Sequence, residues 1–516
     1  MEAYAVAVEK PFLAARMKFE EMSTHLQSSV ALGMRHEDLE EYVVREGREL
    51  ERRMLQEHLD LRAAAERQVE VTGEDGVERR QVRASHRRLM SLVGEVTVFR
   101  VLYQAAGVSC RVPQDASLNL PSESFSFGVR RRVAEEVAAN SFEHGTERIT
   151  ATTGAIIAKR QVEEEARRAS VDFESFYAGL RATNGEMEAG QLLVLSFDGA
   201  GIVMLPKDLR EITRRAAEAQ ASEGSRRPKR LKRGQKRNRK RMAEVAAVYA
   251  IEPSVRVPED IVRELRAVQE VESDKRRPRP SGKRVWASVE RDAKRVIEEA
   301  FEEASRRDPE RRRRWVVLVD GQEGQLSLIE AVAARMGVQL TIVLDIIHVL
   351  EYLWRAAYCF HPDGSREAER WVQKRLLMLL SGTSPSGVAG GMARSATLQG
   401  LENREAVEEC ASYLCKYRDL LGYARALADG LPIATGVIEG ACRYLVRDRM
   451  DKTGARWSLA GAEAVLKLRA LRANGDFDDY WRFHLEAEHR RNHAARYDQS
   501  EVPNPLPTRP RLRRVK

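Results

Sequence analysis

Three acidic residues in this chain have the setting of cation ligands: Asp198, Asp320 and Glu439. Asp198 closes the apolar run of LLVLSFDGAGIV, and Asp320 closes that of WVVLVDG. Short Leu/Val runs bounded by Gly read as buried sheet strands. An aspartate buried at the end of such a strand is costly unless its charge is compensated, and a metal ion is the usual compensation. Glu439 lies in ATGVIEG, a Gly-flanked helix start. Phosphodiester chemistry uses two divalent ions about 3.5–4 Å apart, at the attacking and the leaving oxygen. Mg²⁺ takes hard oxygen ligands and keeps waters, so a few carboxylates suffice. Asp198 is expected to bridge, Asp320 to lie beside it on a neighbouring strand, and Glu439 to come from a helix packed on the sheet. Taken singly, each has a plainer explanation. Asp-Gly after a strand is common turn chemistry, and Glu near a helix N-terminus suits the dipole. Taken together, with a strongly basic stretch between the two aspartates, they read as one metal site.

Other residues read as companions of that site. Arg443 and Arg447 follow Glu439 at spacings of four, which predicts one helix face able to hold phosphate or a carboxylate oxygen. Asp345 and His348 lie three apart at a strand-to-helix junction. They are metal ligands, a positioning pair or a helix cap; the positioning pair is preferred. Asp345 is also the alternative to Asp320 as the second aspartate. Residues 225–242, SRRPKRLKRGQKRNRKRM, hold eleven basic residues: Arg226, Arg227, Lys229, Arg230, Lys232, Arg233, Lys236, Arg237, Arg239, Lys240 and Arg241. A run without an apolar face cannot build a core. It can neutralise several phosphates, a salt-dependent and sequence-blind attraction; the plainer reading is a solubilising loop. Residues 141–152, a turn at Thr153–Gly154 and residues 157–169 resemble a helix-turn-helix, with Lys159, Arg160, Arg167 and Arg168 on the second helix. Glu163, Glu164 and Glu165 on that helix would repel phosphate, and many Gly-joined helix pairs read no DNA.

The chain has 516 residues, a net charge of +9 and a pI near 9.3. That length implies two or three domains, and the charge favours a polyanionic partner. No apolar run reaches the ~20 residues of a membrane helix, and the N-terminus lacks a secretory signal. No membrane partner is expected, and residence is expected to be cytoplasmic. The five cysteines form no CxxC pair, so neither a disulfide framework nor a cysteine-rich zinc site is indicated.

These residues need a frame. Residues 1–82 read as a helical arm, and residues 83–185 carry the helix-turn-helix-like segment. From 186 to 358 the pattern is α/β. It begins with a strand into Asp198, a turn at Gly199–Gly201 and a second strand; after the basic loop 225–242, residues 244–251 form a third. A Pro/Arg linker at 275–283 and an amphipathic helix over 286–306 follow. Strands at 315–319 and 339–344 come next, each with a helix after it. The order β-β-β-α-β-α-β-α recurs in the ribonuclease H-like sheet. Residues 359–431 read as an all-helical insertion, and residues 432–490 return to the core with the Glu439 helix. Residues 491–516 read as a basic, mobile, proline-rich tail. The expected fold is therefore an α/β, ribonuclease H-like mixed sheet with an all-helical insertion, preceded by a mostly helical N-terminal region that binds DNA.

With these motifs assembled, the chain resembles bacterial insertion-sequence DDE transposases of the IS-Kra group, relatives of the Mutator-like transposases. The matching stretches run from RRLMSLVGEVTVFRVLY through SFEHGTERITATTG and DFESFY to LSFDGAGIVM, MAEVAAVYAI and VVLVDGQ. The most specific are LDIIHVLEYLW and TGVIEGACRYLVRDRMDKTGARWSLAGAEAVLKLRAL. The resemblance implies that Asp198, Asp320 and Glu439 are the catalytic triad, that Asp345 and His348 are the C/DxxH motif, and that Trp457 is the tryptophan following the Glu. It also implies a ribonuclease H-like core, two Mg²⁺ ions with Mn²⁺ as a substitute, element ends bound by residues 83–185, and a homo-oligomer on end and target DNA at the bacterial nucleoid. Relatives often carry a cysteine-pair zinc element where this chain reads YQAAGVSCRVPQD; only Cys110 stands there, so zinc is not expected.

Overall fold

In the computed structural model of the protein, residues 11–180, 191–222, 238–265, 278–452 and 454–507 are described. The chain forms two compact units, Met1–Ala178 with Gly475–Lys516, and Gly179–Asn474. Among the described residues no helix is long and apolar enough to cross a membrane.

The first unit is helical around one hairpin. Helices Leu13–Leu26 and His36–Ala65 precede strands β1 (Gln81–Ser91) and β2 (Gly94–Gln104), which pair antiparallel. Helices Phe127–Ala139, Phe142–Thr152 and Lys159–Ala169 follow. Ser126 and Ser141 start the first two by accepting the Val129 and His144 amides, the usual cure for unpaired amides at a helix start. Gly154 owes its identity to packing: a Cβ there would lie 2.5 Å from the Val93 carbonyl, because the hairpin turn presses on it.

The chain end departs from the expectation. Helix Phe477–Asn492 belongs to this first unit and not to the core. The segment expected to be a mobile tail is anchored as far as it is described. Tyr497 is buried with Val71, Tyr103 and Ala116, and Thr72 O accepts the Asp498 amide at 3.2 Å. One buried aromatic supplies about 2–3 kcal/mol, which outweighs the weak structural preference of a Pro/Arg-rich sequence. Residues 508–516 lie outside the described residues.

The second unit carries a five-stranded mixed sheet in the order β5-β4-β3-β6-β7. Its strands are β3 (Leu192–Val203), β4 (Lys240–Ile251), β5 (Ser281–Ser288), β6 (Trp315–Val319) and β7 (Leu340–Leu344). β3, β4 and β5 pair antiparallel, whereas β3, β6 and β7 pair parallel. β6 is buried along its whole length, which explains its unbroken apolar sequence.

Two expectations are corrected here. The turn at Gly199–Gly201 does not exist; β3 runs straight through as one strand of 12 residues. The glycines serve close approach instead. A Cβ on Gly199 would stand 3.0 Å from Met242 Cε, and one on Gly201 2.9 Å from Lys240 Cδ. The missing strand is β5, which takes Trp286 out of the expected 286–306 helix. That helix is Ala293–Arg307, started by Asp292, whose carboxylate accepts the Arg295 amide at 2.9 Å. Beyond β7, helices Arg366–Leu380, Pro385–Leu398, Glu405–Lys416 and Tyr423–Ala428 fill the region between Asp345 and Glu439, together with Ile346–Ala357.

Candidate metal centre

Sheet register brings three aspartates to one level. Ser196 of β3 stands opposite Leu318 of β6, and Val319 of β6 opposite Leu344 of β7. Carrying each register forward sets Asp198 beside Asp320, and Asp320 beside Asp345. The Asp345 amide donates to Val319 O at 2.8 Å, in keeping with that register. Asp320 and Asp345 follow the carboxyl ends of β6 and β7, where open α/β sheets bind their ligands, and Asp198 stands level with them inside the longer β3. The fourth carboxylate arrives from a helix: Gly436–Ala441, carrying Glu439, packs on β3 and β4. Ligand atoms of Asp345, His348 and Glu439 all lie within 4.8 Å of one another.

The aspartates are not equivalent. Asp345 is fully buried and caps helix Ile346–Ala357. Its Oδ1 accepts the Ile347 amide at 3.1 Å and the Thr435 amide at 3.2 Å. Its Oδ2 accepts the Thr435 hydroxyl at 2.6 Å and faces His348 Nδ1 at 3.1 Å. A carboxylate offers about four acceptor positions, so Asp345 is saturated by protein donors. Asp198 and Asp320 are half-buried, and each has one oxygen held by a nearby amide, Gly199 at 2.6 Å and Gln322 at 3.0 Å. Glu439 Oε1 meets only the Thr435 hydroxyl, at 3.4 Å, among its described hydrogen bonds. Among the described residues the group close enough to share one ion is Asp345, His348 and Glu439; Asp198 and Asp320 stand at the same level of the sheet but outside that group.

The electrostatics point the same way. Burial raises the Glu439 carboxyl above its ordinary value, and the Asp345 and Asp198 charges raise it further. The hydrogen bond to Asp345 and that residue's charge, aided by Asp320 and Glu351, lift His348 to about 9 against the effect of burial. The Cys442 thiol is pushed up by burial and then by Asp198. Among the described residues no Lys or Arg forms an ion pair with any of these four carboxylates; their one ionic partner is His348. The negative charge here is met by one protonated histidine and by no Arg or Lys among the described residues.

The remaining predicted companions scatter. A π-helical turn at Cys442–Arg447 adds a residue to the turn and rotates the face that the spacing of four assumed; Arg447 is exposed, and its charge still acts on the Cys442 thiol beside Asp198. Arg443 points to solvent and pairs with Asp448 at 3.8 Å, while Cys442 takes the place next to Asp198. Trp457 is not at the carboxylates. It pairs with Met204 at the far end of β3 and donates its ring N–H to Met450 O at 3.1 Å.

Of the basic run, Arg226, Arg227, Lys229, Arg230, Lys232, Arg233, Lys236 and Arg237 lie outside the described residues. Lys240 is exposed and Arg239 half-buried. Arg241 is spent internally on the carbonyls of Asp208, Val289 and Glu290. In the helix-turn-helix-like pair, Lys159, Arg160 and Arg167 are exposed, but Arg168 is turned to Glu165 at 2.7 Å and Glu123 at 3.1 Å. It is part of a structural ion cluster, and its expected role on a DNA-reading face is corrected on that ground.

Several site residues escaped the sequence reading. Thr435 joins Asp345 to Glu439; its spacing of four before Glu439 was the available signal. Tyr413 donates to Asp320 O at 3.1 Å, Tyr417 to Gly321 O, and Tyr423 to Leu344 O at 2.9 Å. The helical insertion thus grips the ends of both β6 and β7. The spacing of four between Tyr413 and Tyr417 marked a shared helix face but not what that face would meet.

A second acidic group, Asp172, His484 and Glu488 in the first unit, also has ligand atoms within 4.8 Å of one another. Here Arg491 lies 3.0 Å from Asp172 and Arg130 lies 2.9 Å from Glu488, so the negative charge is already neutralised. Compared with known protein-family models and with curated proteins, the chain finds no match.

Proposed function

We propose that this chain is a DDE transposase: a divalent-metal-dependent enzyme that cuts DNA at the ends of an insertion sequence and joins them to a target. The observation that carries the reading is the clustering of Glu439 with Asp345 and His348, next to Asp198 and Asp320 on the neighbouring strands at the same level of the sheet. The order of three antiparallel strands followed by two parallel ones, each parallel strand with a helix after it, supports a ribonuclease H-like core. The donor set is all hard oxygen, which suits Mg²⁺ or Mn²⁺. When bound, two such ions supply charge neutralisation at the attacking and leaving oxygens.

The chain's residues have distinct tasks in this reading. Asp198, central between β4 and β6, is the shared ligand; Asp320 and Glu439 flank it. Asp345 holds the Thr435 turn and so sets where Glu439 points. His348 carries a proton beside the carboxylates and offsets part of their mutual repulsion. Water attacks the phosphorus and the 3′-oxygen departs as a hydroxyl, leaving a 5′-phosphate; the freed 3′-hydroxyl then attacks a target phosphorus, forming a new phosphodiester as the target's 3′-oxygen departs as a hydroxyl. No Ser or Tyr nucleophile enters. The enzyme would act as a homo-oligomer on DNA, with the first unit holding the ends.

Asp198→Ala should abolish Mg²⁺-dependent nicking of supercoiled plasmid bearing the element's ends while leaving end binding intact. Full cleavage by that variant removes the assignment. Labelled 3′ ends that join to target separate a transposase from a nuclease built on the same sheet.

A further inference from the structure

Beyond the carboxylates, β3 continues for five residues, from Asp198 to Val203. At that end a cleft of about 880 Å³ opens between the start of β4 and the loop after Met450. Four cations line it: Arg239 and Lys240 from β4 and the residue before it, Lys452 and Arg456 from the loop. Its one acidic lining residue is Asp451, 3.8 Å from Lys240. Lys240, Lys452 and Arg456 are exposed. Among the described residues no ion pair engages Arg239, Lys452 or Arg456, and the neighbouring Arg241 is the one turned inward.

The walls are fixed. The Trp457 amide donates to Val203 O at 3.0 Å and the Leu205 amide to Trp457 O at 2.8 Å, so the loop is clamped to β3 as it leaves the cleft. The Trp457 ring lies under Arg449 at 4.6 Å and closes the loop back onto Met450.

Two rulers relate this cleft to the metal centre. Five strand residues span about 17 Å at 3.3 Å each. The helical run from Glu439 to Asp451 spans roughly 18 Å at 1.5 Å per residue. Both elements thus agree, and about 17 Å measured along a duplex axis corresponds to about five base pairs at 3.4 Å each.

We propose that this cleft docks the sugar–phosphate backbone about five base pairs from the phosphate held at the carboxylates. The assignment of a DNA substrate rests on the function proposed above. An acidic peptide would need the charge but not the fixed distance, so DNA is the better fit. The cleft takes backbone and reads no base edge; its contribution is sequence-independent and falls with salt.

The test uses the full chain and a random-sequence duplex of thirty base pairs or so, the length being a free choice well beyond the ~5 base pairs at issue. Replacing Arg239, Lys240, Lys452 and Arg456 together by Gln should make the slope of log K against log salt shallower by about 3.6, at 0.9 per phosphate contact. The charge-retaining set Arg239→Lys, Lys240→Arg, Lys452→Arg and Arg456→Lys should restore the slope, which a folding defect would not. Fe²⁺ loaded in place of Mg²⁺ marks the carboxylates by local hydroxyl-radical cutting. A neutral methylphosphonate about five positions from that cut should weaken the wild type and leave the Gln variant unchanged. An unchanged slope, or interference at no fixed distance from the cut, overturns the proposal. So does poly-glutamate that displaces DNA at matched charge. Absence of both Fe²⁺ cutting and Mg²⁺ nicking in the wild type overturns the metal centre instead, and the slope change still reports on the cleft.

Discussion

The two Asp–His–Glu groups described in this protein share residue types and ligand atoms within 4.8 Å of one another, but differ in what surrounds them. In the first unit Arg130 is completely buried and reaches Glu165, Glu488 and Glu123 at 2.8, 2.9 and 2.7 Å, while Arg491 holds Asp172 at 3.0 Å. His484 Nδ1 adds a contact to Asp172 at 2.7 Å. Every anion there has a guanidinium, so the group is a knot that holds helices Phe127–Ala139, Lys159–Ala169 and Phe477–Asn492 together. Around the second unit's group the one ionic partner among the described residues is His348, and Asp320 and Glu439 each have one oxygen with no described hydrogen bond. A cluster of acids is thus a structural device or a cation site according to whether arginine accompanies it. Proximity of ligand atoms does not decide between the two.

The largest test of this contrast removes the arginine. Arg130→Met removes the buried guanidinium that Glu165, Glu488 and Glu123 share, leaving Glu165 to Arg168 and Glu488 to Arg491 at the rim, and should destabilise the first unit by about 3 kcal/mol in urea melts. If stability holds, the knot is not structural. The converse substitution in the second unit is Asp198→Asn, which keeps the shape and removes one repelling charge. Cleavage should fall by about a hundred- to a thousandfold, or roughly 3–4 kcal/mol, with melting temperature unchanged or higher. A large loss of stability would show that Asp198 is structural after all.

Acid sharpens the comparison further. Burial alone would raise Asp172, but the His484 and Arg491 hydrogen bonds outweigh it and hold the carboxyl down at about 2, from an ordinary 3.8. Because the folded value is depressed, its contribution is present above pH 3.8 and is lost as pH falls towards about 2. About 2 kcal/mol of stability should disappear over that window, and Asp172→Asn should flatten the pH profile followed by circular dichroism.

The smallest effect is expected from the tyrosines. Tyr423→Phe leaves the buried Leu344 carbonyl without its side-chain donor, at about 1 kcal/mol. Since the partner strand ends at Asp345, Mn²⁺ affinity followed by electron paramagnetic resonance should weaken by about tenfold. An unchanged affinity would confine the helical insertion to packing.

Much of the second unit was legible before folding. Buried strands announce themselves by unbroken Leu/Val runs, and Asp198, Asp320 and Asp345 each stand where such a run ends. The misreadings have physical causes. Gly199 and Gly201 look like a turn, yet they admit the side chains of Met242 and Lys240 across the ladder. Trp286 fits a helical stripe and a strand equally well, because one face of either is apolar; Asp292 was the helix start. Arg443 lost its place to Cys442 because a π turn changes the period that spacing assumes.

Residue type and local order by themselves determined the strand-end acids, the helix caps and the concentration of basic charge, since these depend on neighbours within a few positions. Only the tertiary structure decided which acids stay free. Whether Asp345 is saturated by Thr435, or Glu488 neutralised by Arg130, depends on contacts between residues 90 and 358 positions apart. Charge compensation is a property of the folded surroundings, and no local pattern carries it.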